Sequence, residues 1–533
     1  MKKIFCSLSL LSFGECGFLY SQVQEIAQVQ EIVLQDVILI SPETEPPLGE
    51  ISSAALISRL QPFVGAPIST DVLLKIKEEI GAYFIQNDQP YVVIEIPEQD
   101  ITDGKVRYNI LKGKIGKIQW TGNRWFSDRV LSRYVHAKVG DPIDENQLLN
   151  DVSSMNRNPF HSTQLILEPG EKKGFSNVEL YTKDRFPLRV FGGADNTGNP
   201  FTGNTRYFGG FNWGNAFFSD DMLTYQYTTA ENNKNFWSHF GSYSSFFSWG
   251  HTLFLYGGYS QIHPHIRDFH TVGKSYQGSF RYQMPFKPYF ENFTQEMGFG
   301  GDVKGMNSSL FFSDVTGNLP VSTHLANLNQ IVVNYGFQYK RKNNRLSFNL
   351  EFFGMPFKWM GNQTSKRFDE LRPHALPRYF YGRLYVADVW TMPHKFTLGA
   401  NLRLQGTTRP LMPSEQFSLG GYNTVRGYAE QSYNADAALC ANIELRFPPF
   451  KLFPKIDNAL TFLGFADYGL GHNFDNDFHK DSSSEYLFSA GPGLRYEIYP
   501  YLSVRADYGF KFHKFANTGS SLGKFHFSAT ASY

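Results

Sequence analysis

The sequence predicts an all-β, 16-stranded transmembrane β-barrel preceded by two small α+β domains, each with the element order β-α-α-β-β. Three observations support this fold class. Apolar and polar residues alternate with a period of two through much of residues 186–533. Residues 32–185 instead show helical spacing between strand-like runs, and the same element order occurs twice. The chain also begins with a short charged and apolar segment typical of exported proteins.

The composition narrows the class of protein further. Of 533 residues, 19% are charged and 16% are aromatic, and there are 47 glycines. Many aromatic residues and glycines suit short alternating strands joined by turns. The formal net charge of +1 provides no steering field toward nucleic acid, so we expect no nucleic-acid partner.

Residues 1–21 are predicted to be a secretory signal peptide. Met1-Lys2-Lys3 is a positively charged start, and the run from Ile4 to Phe13 is mostly apolar but too short to span a membrane as a helix. The rest of the chain contains no apolar run of 18 or more residues. An exported chain of this kind is either soluble or a membrane β-barrel.

The cysteines fit an exported chain without disulfides. Cys6 and Cys16 fall in the predicted signal peptide, which leaves Cys440 in the mature chain. One cysteine cannot form an intramolecular disulfide. We interpret Cys440 as a small core or wall residue.

The first small domain is predicted over residues 22–113, with a short lead-in before its first strand. Apolar residues recur with helical spacing in the second of its two helices, for which Thr70 is a candidate N-cap. A turn containing Asp103-Gly104 joins its last two strands. The elements, in the order strand, helix, helix, strand, strand, are predicted at 32–40, 51–63, 70–86, 91–96 and 105–111.

The second small domain, residues 114–185, repeats that order. Ser127 is a candidate N-cap for its first helix. The two domains together form an internal repeat of about 75 residues. The elements are predicted at 115–120, 127–135, 144–155, 163–167 and 176–181.

Residues 186–533 are predicted to form the barrel. A soluble sandwich shows the same period of two, but the signal peptide, the number of strand-like runs and the terminal aromatic residue favour a membrane barrel. Its strands would be apolar outward and polar inward, and an even number of strands suits a closed single-chain barrel. Sixteen candidate strands begin near residues 187, 204, 221, 235, 251, 275, 293, 328, 345, 376, 396, 436, 458, 485, 501 and 523.

Charged residues on the polar faces of these strands are expected to line the lumen. A plain role in solvating the wall, without selectivity, is the alternative interpretation. The predicted lumen-lining residues are Arg403, Glu444, Arg446, Arg495, Glu497, Arg505 and Asp507.

A long loop between two of the candidate strands contains Arg426 next to glycines that permit close turns, Gly420, Gly421 and Gly427. Asp467 lies near the end of a later strand, on the same face as apolar residues that are unusual for a lumen. We predict that the loop folds inward over this face and that Arg426 bonds Asp467 as a bidentate donor. An ordinary surface turn is the competing interpretation.

Five motifs occur in order along the chain. The first is Pro97–Gly104 with Gly113-Lys114-Ile115, and the second is Asn156–Pro159 with Pro169-Gly170 and Gly174-Phe175-Ser176. The third is Asp195–Asn199 with Thr202-Gly203. The last two are Val425-Arg426-Gly427-Tyr428 and Phe465-Ala466-Asp467-Tyr468-Gly469.

Taken together, these motifs resemble the two-partner secretion transporters (TpsB type, haemolysin secretion/activation) of the POTRA–β-barrel outer-membrane superfamily. The first two motifs resemble the ends of two POTRA domains, and the third resembles the first barrel hairpin. The last two resemble the superfamily's lid-loop motif and strand motif, the latter carried by Phe465, Asp467 and Gly469. The resemblance places the Arg426 loop between barrel strands 11 and 12, and Asp467 on strand 13. The short lead-in before residue 32 departs from family members that carry an N-terminal plug helix.

The resemblance implies a transporter in the cell outer membrane, with its POTRA domains in the periplasm. These domains would capture an unfolded partner exoprotein, haemagglutinin/haemolysin-like and β-helical, and the barrel pore would export it. Other implied partners are outer-membrane lipid and the barrel-assembly machinery, which would recognise a C-terminal signal formed by Phe525, Phe527 and Tyr533. The alternatives are an assembly factor that inserts barrel proteins into the membrane and, less favoured, a plain porin. Two POTRA-like repeats favour the transporter.

The sequence contains no recognisable catalytic constellation, so we expect neither an enzyme nor a cofactor. His251, His263, His265 and His270 are scattered among loop-like residues and are interpreted as surface or loop histidines. Asp475 and Asp477 could suggest a calcium loop, but no acidic residue follows at the required spacing. We therefore expect a solvated turn there.

Overall fold

A computed structural model describes residues 32–40, 54–87, 91–172, 174–200, 202–266, 269–314, 317–474, 483–515 and 520–533. The predicted signal peptide, the lead-in before residue 32, and Asp475 and Asp477 lie outside the described residues. The chain divides into two compact units. One comprises Met1–Lys117, Val139–Asp144 and Pro169–Asn177, and the other comprises Ile118–Lys138, Glu145–Glu168 and Val178–Tyr533.

The first small domain contains a three-stranded sheet covered by two helices. Its first strand lies at one edge of the sheet and pairs in parallel with the third strand, which lies in the middle. The second helix turns its apolar residues inward at helical spacing, with Ile76, Ile80 and Phe84 buried in the core. The strands are Asp36–Ile40, Val92–Glu95 and Lys105–Lys112, and the helices are Ala54–Leu60, extended by a 3-10 turn at Gln61–Phe63, and Thr70–Gln86.

The N-cap predicted at Thr70 is wrong by one residue. Ser69 has the extended backbone of a cap, and its hydroxyl accepts a hydrogen bond from the backbone N–H of Val72 at 3.3 Å. Thr70 is already the first helical residue. Both residues are favoured caps, so residue type alone could not choose between them.

The second small domain has the same element order and the same sheet order, with the third strand in the middle. Ser127 occupies the N-cap position of its first helix, although its side chain makes no capping bond. The strands are Lys114–Thr121, His161–Pro169 and Phe175–Asp184, and the helices are Asp128–Leu131, extended by a 3-10 turn at Ser132–Tyr134, and Glu145–Met155.

Sixteen antiparallel strands form the closed barrel, as the alternation predicts. Strand 5 continues past Ile262 as a short piece, His265–Ile266, that also pairs with strand 6. Strands 1 to 8 are Leu188–Asp195, Arg206–Ala216, Asp221–Ala230, Phe236–Phe246, Thr252–Ile262, Phe269–Phe286, Phe293–Asp314 and Gly317–Arg341. Strands 9 to 16 are Asn344–Gly354, Phe380–Thr391, Thr397–Thr407, Ala437–Arg446, Asn458–His472, Ser484–Ile498, Leu502–Lys511 and Gly523–Ser532.

Strands 6, 7 and 8 are longer than predicted. They have 18, 22 and 25 residues, whereas about 9–11 residues suffice to cross a bilayer. Strands 6 and 8 accordingly begin at 269 and 317, earlier than the predicted 275 and 328. Their far ends continue the antiparallel pairing, with Phe269 opposite Phe312 and Gly317 opposite Asp314.

The barrel closes between strand 16 and strand 1. The ladder covers five residue pairs, from Ser528 opposite Asp195 to Ser532 opposite Phe191. Beyond the ladder, Asn196 acts like a further strand residue: its side chain donates to the backbone of Phe525 and accepts from that of Phe527. At the other end, the backbone of Tyr533 exchanges two hydrogen bonds with that of Val190. Phe525 and Tyr533 lie exposed on the outward side.

Within the second compact unit, the turn between strands 2 and 3 bonds to three residues of the second small domain. Asp220 in that turn has a left-handed backbone (φ 63°) and is buried. Its carboxylate accepts from Tyr134 at 2.7 Å and from Asn158 at 2.8 Å, and lies 2.9 Å from Nε2 of His161. Burial, together with the Asp220 charge, raises the pKa of the Tyr134 hydroxyl. One carboxylate therefore joins three side chains of this domain to the barrel wall.

None of the helices in the described ranges has the length and apolar character needed to cross a membrane.

Candidate functional site

The connection between strands 11 and 12 folds into the barrel. We call residues 408–436 the lid segment. Its two arms form a short antiparallel sheet, Phe417–Leu419 with Tyr433–Ala435, in which Leu419 faces Tyr433. The tip between these arms carries Arg426 and reaches the inward faces of strands 12 to 16. The lid segment is thus the loop that the sequence predicts to fold inward.

Arg426 at the tip is bound by Asp467 of strand 13. Its Nε and Nη2 atoms donate to the two carboxylate oxygens at 2.7 and 2.8 Å, and its backbone N–H donates to the same carboxylate at 3.0 Å. The Arg426 side chain is 3% exposed, and that of Asp467 is fully buried. Such a forked pair fixes orientation as well as charge.

The Arg426 pair belongs to a larger cluster of three arginines and three carboxylates. Nη1 of Arg426 donates to Glu444 at 2.6 Å and lies 3.7 Å from Asp507. Asp507 also accepts from Arg495 at 2.7 Å and from Arg505 at 2.8 Å. Each charge in the cluster therefore has an opposite charge within bonding or near-bonding distance, which offsets the desolvation that burial imposes.

The face beneath the Arg426 tip explains why strand 13 is apolar on its inward side. Leu463 and Phe465 point inward and are buried, whereas Phe462 on the opposite face is 48% exposed toward the lipid side. The guanidinium carbon of Arg426 lies 3.5 Å from the centre of the Phe465 ring. A cation on a ring face is attracted by the ring's quadrupole. The lid segment, and not free lumen, therefore covers Phe465.

Three glycines let the lid segment lie directly against the wall. Gly427 has φ of 91°, and a Cβ there would come within 2.7 Å of the carbonyl oxygen of Gly509 on strand 15. A Cβ on Gly509 would in turn lie 2.5 Å from the backbone nitrogen of Gly427. Gly469 on strand 13 similarly leaves room for Val425 and Leu419 of the lid segment. A larger residue at any of these positions would push the tip away from the wall.

An apolar cluster anchors the remainder of the tip. Val425, Tyr428 and Leu419 pack on Cys440 and Leu487, which face inward from strands 12 and 14. The Tyr428 hydroxyl donates to the carbonyl of His513 at 2.6 Å. Cys440 is therefore a core residue under the lid segment.

Most of the residues predicted to line the lumen lie beneath the lid segment. Glu444, Arg495, Arg505 and Asp507 form the charge cluster with Arg426. The others lie as follows: Arg403 donates to the carbonyl of Asn423 at 2.7 Å, Arg446 is half exposed and bonds Glu444, and Glu497 bonds the hydroxyl of Tyr499.

Sequence reasoning missed two polar residues that hold the tip. Asn442 on strand 12 donates to Asp467 at 2.8 Å and to the carbonyl of Thr424 at 2.6 Å. Nε2 of His526 on strand 16 accepts from the backbone N–H of Gly427 at 2.9 Å, which requires the tautomer protonated at Nδ1. In each strand the polar residue lies between two apolar neighbours that point outward. This alternation in the sequence could have identified both residues as inward-facing.

The histidines singled out in the sequence form no metal site in the described part of the chain. His251 lies 2.9 Å from the Tyr282 hydroxyl, and His263 lies 3.1 Å from Gln261. The side chains of His265 and His270 fall outside the described residues. Among the residues that the structure describes, no group of three or more His, Cys, Asp or Glu side chains is arranged to hold a metal ion.

Comparison with known proteins places this architecture among outer-membrane transporters. A family model described as "Haemolysin secretion/activation protein ShlB/FhaC/HecB" matches residues 174–496, more than half of the chain. The outer membrane transporter CdiB of Dickeya dadantii is 22% identical over 432 residues, covering 79% of this chain and 73% of the relative. The heme/hemopexin transporter protein HuxB of Haemophilus influenzae is 24% identical over 473 residues, covering 84% of this chain and 78% of the relative.

Two solved structures show the same fold. CdiB from Escherichia coli superposes with a TM-score of 0.75 at 15% identity, covering 96% of this chain and 92% of that one. A BamA from Haemophilus ducreyi that lacks POTRA domains 1–3 superposes with a TM-score of 0.51 at 15% identity, covering 94% of this chain and all of that one.

The Arg426–Asp467 pair is predicted to hold the lid segment in place. Arg426→Ala and Asp467→Ala should each destabilise the seated lid by about 2–5 kcal/mol, because either change leaves the partner charge buried without its counter-charge. Lysine at position 426 should rescue poorly, since an ammonium cannot form the fork. The measurement is ionic conductance in planar bilayers, together with the rate at which external protease cuts the lid segment.

Arg446→Ala is the matched control, because that arginine contacts the same cluster but is half exposed. The double variant Arg426→Ala/Asp467→Ala should be less defective than the sum of the two single changes. Simple additivity of the two defects would show that the residues do not act as a pair.

Proposed function

The chain belongs to the haemolysin secretion/activation protein family ShlB/FhaC/HecB, and from this premise we propose that it exports a partner exoprotein across the outer membrane through its barrel. Residues 22–113 and 114–185 would be POTRA domains that receive the unfolded partner in the periplasm. The barrel would be the pore, and the lid segment its gate.

The observation that carries the proposal is that the segment folded into the barrel is bound to the wall through paired charges, Arg426 with Asp467 and Glu444, beside a small apolar cluster. A polypeptide that crosses a bilayer needs polar surroundings, because each unsatisfied backbone group costs several kcal/mol in hydrocarbon. Salt bridges and glycine contacts can reform after the chain has passed. A gate built in this way supports reversible opening.

A cavity of about 700 Å³ with a mixed polar and apolar lining lies along the inner wall. It continues into a second, more polar cavity of about 410 Å³, which shares Gln283, Asn334 and Glu351 with it and reaches Ser414 of the lid segment. Amide groups supply both donors and acceptors to a passing backbone. The cavities support a route along the wall formed by strands 5 to 9, and seating or unseating of the lid would set its width.

The first small domain offers a site at which an extended chain could dock. In the described residues, the edge strand Asp36–Ile40 pairs with one neighbour only. Beside it lies a groove of about 210 Å³, lined mainly by apolar side chains of that strand and of the helical segment that follows it, together with Asp36 and Gln61. An extended peptide can add to such an edge through main-chain hydrogen bonds and place alternate side chains in the groove. The lining residues include Val37, Leu39, Ile57, Leu60 and Val64.

We propose a partner that is secreted unfolded and is haemagglutinin/haemolysin-like and β-helical. Its folding outside the cell would make export directional without a nucleotide. We also propose that Phe525, Phe527 and Tyr533 form the signal that the barrel-assembly machinery recognises. The exposure of Phe525 and Tyr533 at the closing strand supports this proposal.

Deleting the coding sequence from its host separates a transporter from an assembly factor. A dedicated transporter should be required for one or a few large proteins in the medium or on the cell surface, while the amounts of other outer-membrane barrels stay unchanged. Quantitative proteomics of both fractions, with wild-type and Arg426→Ala copies restored, is the measurement. A general loss of barrel proteins with normal secretion would favour the assembly factor.

The groove can be tested without disturbing the barrel. Ile57 is 46% exposed on the groove wall, so Ile57→Glu should leave the domain folded but charge the docking surface. We expect partner secretion to fall at least about tenfold, with barrel amount and conductance unchanged. Ile85→Glu is the matched control: Ile85 is a 61% exposed isoleucine on the other helix of the same domain. Equal secretion by the two variants would remove the groove from partner capture.

A further inference from the structure

We infer that Arg372, in the loop between strands 9 and 10, is a positioning residue that locks the lid segment from outside, so that this loop must move before the lid can leave its seat. We call residues 355–379 the outer loop. The inference rests on the proposed role of the lid segment as the gate of an exporter.

The outer loop is folded onto the barrel mouth. It contains the helix Ser365–Leu371, capped by the hydroxyl of Thr364, which accepts from the backbone N–H of Arg367 at 3.2 Å. The helix buries Phe368 in a cluster that also contains Leu411 and Met412 of the lid segment. Wall residues complete that cluster: Leu328, Val332, Phe353 and Tyr381. The outer loop and the root of the lid segment therefore share one apolar core.

Arg372, which follows this helix, binds the C-terminal end of the lid segment. Its two terminal nitrogens bind the two carboxylate oxygens of Asp436, the last residue of the segment, with Nη2 at 2.6 Å. Asp436 is fully buried, and 14% of the Arg372 side chain is exposed. Arg372 also donates to the carbonyl of Leu411 near the start of the lid segment. One guanidinium thus binds the segment close to both of its ends.

A second buried pair holds the start of the lid segment. Glu415 accepts from Lys304 on strand 7 at 2.9 and 3.0 Å and from the hydroxyl of Tyr381 at 2.6 Å. Gln330 on strand 8 contacts the same carboxylate at 3.3 Å, and its carbonyl accepts from the hydroxyl of Tyr379 at the end of the outer loop at 2.9 Å. The outer loop is therefore also linked to this root, through Gln330.

The lid segment is consequently held at three places, namely by Asp467 at its tip and by Arg372 and Lys304 at its roots. Freeing the tip alone leaves both roots in buried ion pairs, and removing one partner from such a pair is costly. The root pair formed by Arg372 is the one whose cation lies on a loop, which can move without breaking the barrel wall. Displacement of the outer loop is thus the step that releases the lid.

The native Cys440 thiol provides a reporter for lid displacement. It is fully buried beneath Val425 and Tyr428. Cys6 and Cys16 fall in the predicted signal peptide, and a Cys440→Ser variant shows whether labelling is specific. The experiment measures the rate at which a membrane-impermeant methanethiosulfonate reagent labels purified, full-length protein in detergent. A difference in electrophoretic mobility between heated and unheated samples confirms that each variant is a folded barrel.

We expect Arg372→Ala and Asp436→Asn each to raise the Cys440 labelling rate at least about tenfold. Arg372→Lys should raise the rate by a smaller factor, because lysine keeps the charge but cannot form the fork. Arg367→Ala is the matched control. It removes an arginine of the same loop whose ion pair with Glu370 is more open, at 42% side-chain exposure for Arg367. This control should label at the wild-type rate.

The Arg426→Ala variant separates failure of the outer-loop lock from failure of the lid segment as a gate. If it raises labelling while both Arg372→Ala and Asp436→Asn leave the rate at the wild-type value, the outer loop is not a lock and the inference fails. If none of the variants changes the rate, the lid segment does not open at this cluster, and its proposed role as a gate fails as well.

Discussion

The structure depends on one electrostatic constraint: an arginine placed inside a membrane barrel must find its counter-charges there. Arg426 meets this constraint with Asp467, Glu444 and, at a longer distance, Asp507. These carboxylates come from strands 12, 13 and 15, so the lid segment is bound to a continuous section of the wall. Removing any partner would leave a buried charge unpaired, and the barrel interior is therefore specific for one arrangement of the segment.

The other contacts of the site allow Arg426 to reach its counter-charges on the wall. Glycines at 427, 469 and 509 allow backbone contact, so the guanidinium reaches strand 13 and stacks on Phe465. The apolar cluster around Tyr428 excludes water from one side of the tip, which strengthens the charge pairs. At the roots, the pairs of Arg372 and Lys304 repeat the same principle with residues from a loop and from strand 7. The seated lid segment is therefore held by paired charges together with the apolar contacts around Tyr428 and Phe368.

The sequence was most informative where a periodic pattern had to match a periodic structure. The alternation in residues 396–405 and 523–533 predicts strands because one face must meet lipid, and the helical stripe of residues 70–86 predicts a helix that covers a sheet. The lid segment was predictable because Leu463 and Phe465 are apolar on a face that should be polar. The Arg372–Asp436 pair was not predictable, since it joins two irregular loops 64 residues apart with no repeating signal. The full length of strands 6 to 8 was missed for the related reason that a strand longer than the about 9–11 residues needed to cross a bilayer has no requirement for alternation over its excess length.

The central claim is that the lid segment is the gate and moves when a partner protein passes. The most direct measurement compares Cys440 labelling by an impermeant thiol reagent in intact cells that produce the secreted partner and in cells that lack it. The account predicts slow labelling without the partner and clearly faster labelling during secretion, because the tip must leave the surface that covers this thiol. Equally slow labelling during active secretion would show that the partner passes with the lid in place, and would contradict the account.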